Sequence, residues 1–99
     1  MSETDPRLIR LAEPDNVLMI ATTLTEGERI QIAGQTVGIA KTLSLGHKLA
    51  ARDIKADETI TKYNFPIGVA SRDIALGEHV HVHNVRSDYT ASYVVPAAS

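Results

Sequence analysis

The sequence of 99 residues contains no cysteine and no tryptophan, and aromatic residues make up only 4% of it. Without cysteine the chain cannot form a disulfide framework, a thiolate zinc site, an iron–sulfur cluster or a cysteine nucleophile. With three tyrosines and one phenylalanine, the core must consist mainly of isoleucine, valine, leucine and alanine.

Neither the charge nor the hydrophobic runs indicate a nucleic-acid or membrane partner. Ten basic and twelve acidic residues give a net charge of −2, and no basic cluster of the kind that binds phosphate backbones is present. The longest apolar run, Val17 to Ala21, is far shorter than the roughly 20 residues that span a bilayer. The polar start at residues 1–6 lacks the basic and apolar regions of a signal peptide. We therefore expect a soluble, cytoplasmic protein.

The apolar residues occur in short runs that are typical of strands. The run at Val17 to Ala21 predicts a buried strand. Ile30 and Ile32 alternate with polar residues up to Ala33-Gly34, which predicts a hairpin. Apolar residues nowhere recur at helical spacing over two turns, and glycines interrupt every long segment. These patterns predict an all-β, compact single domain of short bent hairpins with at most one or two helical turns.

Composition also divides the chain into three parts. We expect a flexible N-terminal arm at residues 1–13, the folded domain at residues 14–86, and a C-terminal tail at residues 87–99. The tail carries Tyr89 and Tyr93, which suit packing against a partner or a second copy.

A repeated unit indicates how the strands are arranged. Residues 50–60 realign with residues 70–80, and a fainter copy lies at residues 24–30. The unit has an aliphatic anchor, two variable residues, Gly or Asp, then Glu, any residue, and Ile or Val. Gly or Asp suits the positive φ of a tight turn, and the last residue returns to the core. The repeat predicts a pseudo-symmetric β domain with four buried aliphatic residues, namely Ile54, Ile60, Ile74 and Val80.

Three of the four histidines, His79, His81 and His83, alternate with valines. On a strand these imidazoles share one face, about 6.6–6.8 Å apart, while Val80 and Val82 face the core. Two imidazoles at this spacing suit a divalent cation or a proton relay near neutral pH. The alternative is that histidine simply fills the wet side of a half-exposed strand.

A second candidate for chemistry is the turn at Gly46, His47 and Lys48. A turn that presents an imidazole beside an ammonium group suits a carboxylate or hydroxyl ligand. The alternative is an ordinary exposed loop.

Together these motifs closely resemble the N-terminal SAF-type domain of the altronate/galactarate dehydratase family, over roughly residues 14–86. The resemblance lies in Asp15-Asn16-Val17, Leu45 to Ala50, Asp53-Ile54, Ile60, Lys62-Tyr63, Pro66 to Gly68, Asp73 to Ala75, and Gly77 to Asn84. It implies a β-clip fold. The family usually has Gly after Lys-Tyr, whereas this chain has Asn64; Asn also tolerates a left-handed conformation.

The resemblance implies the small subunit of a two-subunit hydro-lyase that is inactive without a large catalytic subunit. The implied reaction removes water from a small hydroxy-acid substrate to give a 2-keto-3-deoxy acid, and it uses iron(II) or manganese(II) held mainly by the large subunit. Within the match we expect His81 and His83 to be catalytic and to be the candidate metal ligands. The expected substrate-binding residues are His47, Lys48 and Asn84.

Two other functions stay open. One is the small subunit of a sulfolactate sulfo-lyase, an enzyme that is similar to this family and expels sulfite from a three-carbon acid. The other is a non-catalytic binding or assembly module of SAF type. The sequence also leaves open whether the chain forms a homo-oligomer.

Overall fold

The computed structural model describes residues 3–87 and confirms the all-β prediction. Over this range the chain forms short strands and no helix, and hence no helix that spans a bilayer. The strands are β1 (Leu8–Ile9), β2 (Val17–Ile20), β3 (Arg29–Ile32), β4 (Gln35–Gly38), β5 (Lys48–Ala50), β6 (Thr59–Lys62), β7 (Phe65–Ala70), β8 (His79–Val80) and β9 (Val85–Arg86). The predicted tail lies almost wholly outside the described residues.

These strands pair in three antiparallel sheets. The largest has the order β1-β2-β5-β8, the second is the hairpin β3-β4, and the third has the order β6-β7-β9. In the largest sheet, Leu49 of β5 pairs with His79 of β8. The two histidine-bearing segments predicted from the sequence therefore lie on neighbouring strands.

The structure contains the predicted repeat and adds a fourth copy to it. The four anchors, Leu24, Leu43, Ile54 and Ile74, form two isolated bridges, Leu24 with Leu43 and Ile54 with Ile74. Each anchor is followed by a turn and then by a strand. The copy that begins at Leu43 was missed because His47 occupies the position at which the other three copies have Glu.

That glutamate closes the turn in each of the other copies. Glu28, Glu58 and Glu78 accept the backbone N–H of the residue three positions earlier, at 2.8–3.0 Å. Their carboxylates also pair with arginines, namely Arg7, Arg52 and Arg72. The repeated Glu is therefore a turn-holding residue.

The core follows the repeat. Ile54, Ile60, Ile74 and Val80 are all buried, as predicted. They belong to one of two aliphatic clusters, and the other includes Leu24, Leu43 and Leu49. The predicted hairpin is also present, since β3 pairs with β4. Its two turn residues, Ala33 and Gly34, both have positive φ, at 51° and 83°. Such a turn matches the twist of antiparallel strands.

The first described residues differ from a flexible arm. Leu8 pairs with Ile20 and is buried in the core, and the Arg7 guanidinium pairs with Asp5 and Glu28. The physical reason is that the aliphatic side chain of Leu8 fills space beside β2, which aligns a short strand at the sheet edge.

Asp15 and Asn16 fix the hairpin between β6 and β7. The Asp15 carboxylate accepts the backbone N–H groups of Tyr63 and Asn64 at 2.7 and 2.8 Å, and also that of Ala12. The Asn16 amide bonds to the backbone of β6. Asn64 has a φ of 65°, so Asn replaces the usual Gly here without abolishing the turn.

Candidate functional site

The segment that carries three histidines is a short strand followed by a turn, so the expectation that His79, His81 and His83 share one face of a single strand was wrong. β8 ends at Val80. The Asn84 backbone N–H donates to the His81 carbonyl at 3.0 Å, which closes a four-residue turn. Val82, expected to face the core, is instead 80% exposed at the tip of this turn.

The side chain of Asn84 stabilises this turn through hydrogen bonds to the backbone. Its Oδ1 accepts the His81 backbone N–H at 3.0 Å, and its Nδ2 donates to the His79 carbonyl at 2.9 Å. The residue is completely buried. The structure therefore places Asn84 beneath the histidines and not on the accessible surface where a substrate would bind.

The turn brings three imidazoles together, although they no longer alternate along one strand. His47, His79 and His81, the histidine cluster below, each offer a ring nitrogen within 4.8 Å of the others. Ring centroids are 5.1 Å apart for His47 and His79, and 5.4 Å apart for His81 and either of the other two. His83 contacts His79 alone, at 5.5 Å. Among the described residues, His83 lies outside the convergent group.

The orientation of the His79 ring is fixed by burial. Its Nε2 lies 3.2 Å from Nδ1 of His47, a hydrogen bond in which one of the two nitrogens carries the proton. Its Nδ1 is buried and has no partner in the described part of the chain. Only Nε2 therefore faces the space shared with His47.

Lysines surround the histidine cluster. Burial and the nearby positive charges of His47 and Lys41 lower the pKa of His79 to about 4. Burial and the charge of Lys48 also lower the pKa of His81. Burial and the charge of Lys62 lower the pKa of Lys48 in turn. Two consequences follow: the His79 imidazole is neutral at neutral pH, and the site favours an anion.

Sequence reasoning missed Lys41, which the repeat identifies once four copies are aligned. Lys41 stands two residues before its anchor Leu43, where Arg52 and Arg72 stand before theirs. Those arginines pair with turn glutamates, whereas no ion pair of Lys41 occurs within residues 3–87. In the second copy a Lys and a His thus replace an Arg–Glu ion pair.

Two cavities meet at His81. The larger, of about 670 Å³, is lined by aliphatic residues and has Lys41, His79 and His83 among its polar residues. The smaller, of about 320 Å³, contains Lys48 and Arg86. Of the predicted site residues, His81 therefore lines both cavities, while Lys48 reaches the site from the second.

The carboxylate that lines the larger cavity is already engaged. Glu78 lines the larger cavity, but its carboxylate accepts the Ala75 N–H and pairs with Arg72. The positive groups at the site are therefore left for an external acid.

The sequence is similar to known proteins. The sequence is 41% identical over 80 residues to altronate dehydratase of Bacillus subtilis (strain 168) and 40% identical over 80 residues to that of Escherichia coli (strain K12). Each match covers 81% of this chain and 16% of the relative. The chain thus spans about a sixth of the length of these dehydratases.

A shorter relative matches part of the same region. The sequence is 53% identical over 45 residues to the (2R)-sulfolactate sulfo-lyase subunit alpha of Chromohalobacter salexigens, which covers 46% of this chain and 48% of that subunit. The family model described as the altronate/galactarate dehydratase SAF domain matches residues 6–88. The chain therefore belongs to the altronate/galactarate dehydratase SAF-domain family.

Proposed function

We propose that this chain is the small part of a hydro-lyase and completes a site with a larger lyase polypeptide. The observation that carries the proposal is the convergence of three imidazoles beside Lys41 and Lys48. The relatives support it, because two are named altronate dehydratase and others are named subunit alpha of a sulfo-lyase.

The proposed substrate is a small hydroxy acid whose carboxylate binds at the positive groups. A charged, hydrogen-bonding donor such as Lys48 is a strong partner for a carboxylate. Lys41 approaches from the larger cavity and Lys48 from the smaller one. An acid bound between them contacts His81, which lines both.

The proposed reaction is a β-elimination of water. A base removes the proton from the carbon next to the carboxylate, the hydroxyl group on the following carbon leaves as water after it is protonated, and the resulting enol rearranges to a 2-keto-3-deoxy acid. We assign one of these two proton transfers to His83, whose ring lies outside the histidine cluster. His81 contacts the negative charge that develops on the enediolate. The larger polypeptide supplies the remaining groups.

Of the two ions that the resemblance implies, the imidazoles of the histidine cluster fit iron(II) better than manganese(II), because imidazole is a common ligand of iron whereas manganese prefers oxygen ligands. When bound, such an ion supplies a Lewis acid beside the carboxylate.

The test is reconstitution with the larger lyase polypeptide encoded nearest to this chain's gene. We expect neither polypeptide alone to act, and the mixture with ferrous or manganous ion to form a 2-keto acid from altronate or galactarate. His83→Ala should lower kcat by about 10²–10⁴-fold, the usual contribution of a positioned proton-transfer group. His81→Ala should lower kcat by about 10²–10³-fold, the usual effect of removing one group that stabilises a developing negative charge. Lys48→Ala should raise KM, and Lys55→Ala, an exposed lysine away from the cluster, is the matched control.

If both histidine variants fold, assemble and retain full turnover, the assignment of the site is wrong. If they weaken assembly but leave turnover per complex unchanged, the chain is a non-catalytic assembly module.

A sulfolactate sulfo-lyase small subunit is the second candidate. The observation that favours it is the 53% identity to a subunit alpha. The same proton abstraction serves both reactions, with sulfite as the leaving group in place of water. Release of sulfite from sulfolactate by the reconstituted pair, without dehydration of altronate, would decide for it.

A further inference from the structure

We propose that His47, His79 and His81 of this chain form a three-imidazole site that binds one divalent transition-metal ion without help from another polypeptide. The inference rests on the proposed function only for the role of the ion. It differs from the sequence prediction, which named His81 and His83 as the candidate ligands, because the folded chain brings His47 and His79 to His81 and leaves His83 outside.

The spacing of the nitrogens supports a shared ion. His47 Nδ1 and His79 Nε2 are 3.2 Å apart. Two nitrogens bound to a tetrahedral ion at about 2.0–2.1 Å stand about 3.3–3.4 Å from each other. The first two nitrogens are therefore already at the separation that a common ion requires, and both can bind the ion once the proton of this hydrogen bond has moved to the other nitrogen of its own ring.

His81 can complete the set with a small movement. Its ring nitrogen lies within 4.8 Å of the other two ligand atoms, so it has to approach by at most about 1.5 Å to reach ligand spacing. The His81 side chain is exposed and is free to change rotamer. The hydrogen bond from the His81 N–H to Asn84 keeps the backbone in place, so the movement is confined to the side chain.

The backbone of all three residues is fixed by the fold. The His47 carbonyl accepts the Ile20 N–H at 2.8 Å. His79 pairs with Leu49 across the largest sheet, and its ring Nε2 is hydrogen-bonded to Nδ1 of His47. Such pre-positioned ligands lose little freedom when an ion binds.

The donor set also selects the ion and its use. Three imidazole ligands without a thiolate suit zinc, nickel or iron(II). Three protein ligands leave coordination positions open, as in catalytic metal sites. Lys41 and Lys48 reduce the affinity for a bare cation, but they favour a carboxylate at the open positions.

The experiment titrates the purified full chain with cobalt(II) alone and follows visible absorption, then displaces the cobalt with zinc. We expect one cobalt ion per chain and a d–d band typical of low coordination number. His81→Ala and His47→Gln should each weaken cobalt binding at least tenfold, because removal of groups that merely orient a metal ligand already weakens binding by about 10–100-fold. His83→Ala is the matched control and should leave cobalt affinity unchanged.

Circular dichroism of each variant establishes that it is folded, and two of the three ligands are tested so that one unstable variant does not decide the result. Absence of a cobalt band in the wild-type chain overturns the inference, and so does a loss in His83→Ala equal to that in His81→Ala. These results are distinct from a failure of the lyase proposal, since an inactive reconstituted pair leaves cobalt binding by the chain intact.

Discussion

Replacement of Gly77 by alanine tests how closely the turn of the fourth copy packs against the hairpin β3-β4, which borders the site. Gly77 has a φ of 82°, and a Cβ added there would lie 2.3 Å from Cγ1 and 2.8 Å from Cγ2 of Val37. A left-handed conformation costs alanine about 1–2 kcal/mol. Overpacking typically adds about 1–3 kcal/mol. We expect Gly77→Ala to lower the free energy of unfolding by about 3 kcal/mol in total.

Gly27 supplies the matched control, because it has nearly the same φ, 90°, with open space around the position of a Cβ. Gly27→Ala should therefore lose only the conformational part, about 1–2 kcal/mol. Urea unfolding at constant pH measures both. In a Val37→Ala background the loss from Gly77→Ala should shrink, since the two clashing methyl groups are gone. Equal losses for Gly77→Ala and Gly27→Ala would refute the steric argument.

Three further predictions concern the polar groups around the site. His79 has a pKa of about 4 in the folded chain against 6.5 unfolded, so the unfolded state binds more protons between these values and stability falls as pH drops through this window. After allowance for partial exposure, the loss of stability is about 2 kcal/mol. Urea unfolding at several pH values should show that His79→Gln lacks this loss. Asp15→Ala removes the acceptor of three partly buried backbone hydrogen bonds and should lower stability by about 3 kcal/mol. Asp53→Ala, with one exposed bond to Leu76, should lose less than about 1 kcal/mol in thermal unfolding. Asn84→Ala leaves the His81 N–H and the His79 carbonyl without a side-chain partner and should cost about 2–4 kcal/mol; unchanged melting of this variant would show that the turn does not depend on Asn84.

Local pattern was sufficient for the parts of the fold that repeat. The anchors Ile54 and Ile74 and the residues that follow their turns were predicted to be buried because each copy returns an aliphatic residue to the core at the same offset. The hairpin at Ala33-Gly34 followed from turn chemistry alone. Both predictions depend on neighbours within a few residues, which a sequence displays directly.

The histidine segment does not continue as one strand through His83, because hydrogen bonds made by Asn84 turn the chain after Val80. His, Val and His do alternate, but Asn84 captures the His81 N–H with its side chain, and its carbonyl accepts the N–H of Ser71. The alternating pattern carries no information about that second contact. The convergence of His47 on this turn was equally hidden, since it depends on the pairing of β5 with β8.

The fourth copy of the repeat explains why the chemistry lies where it does. In three copies the turn glutamate bonds to the backbone and pairs with an arginine, so the residue at that position stabilises the turn and is unavailable to a ligand. His47 makes no such bond, and its own N–H reaches the Ser44 carbonyl at the longer distance of 3.3 Å. Ile20 of β2 exchanges backbone hydrogen bonds with Gly46 and His47, and each of the other three turns has the same pair of bonds to a neighbouring segment. Because this shared backbone support holds the turn without a glutamate, the position can carry an imidazole, and the loss of the paired arginine leaves Lys41 free of a carboxylate among residues 3–87. The pseudo-symmetry of the repeat is therefore broken in the second copy, whose turn places His47 beside His79 and His81.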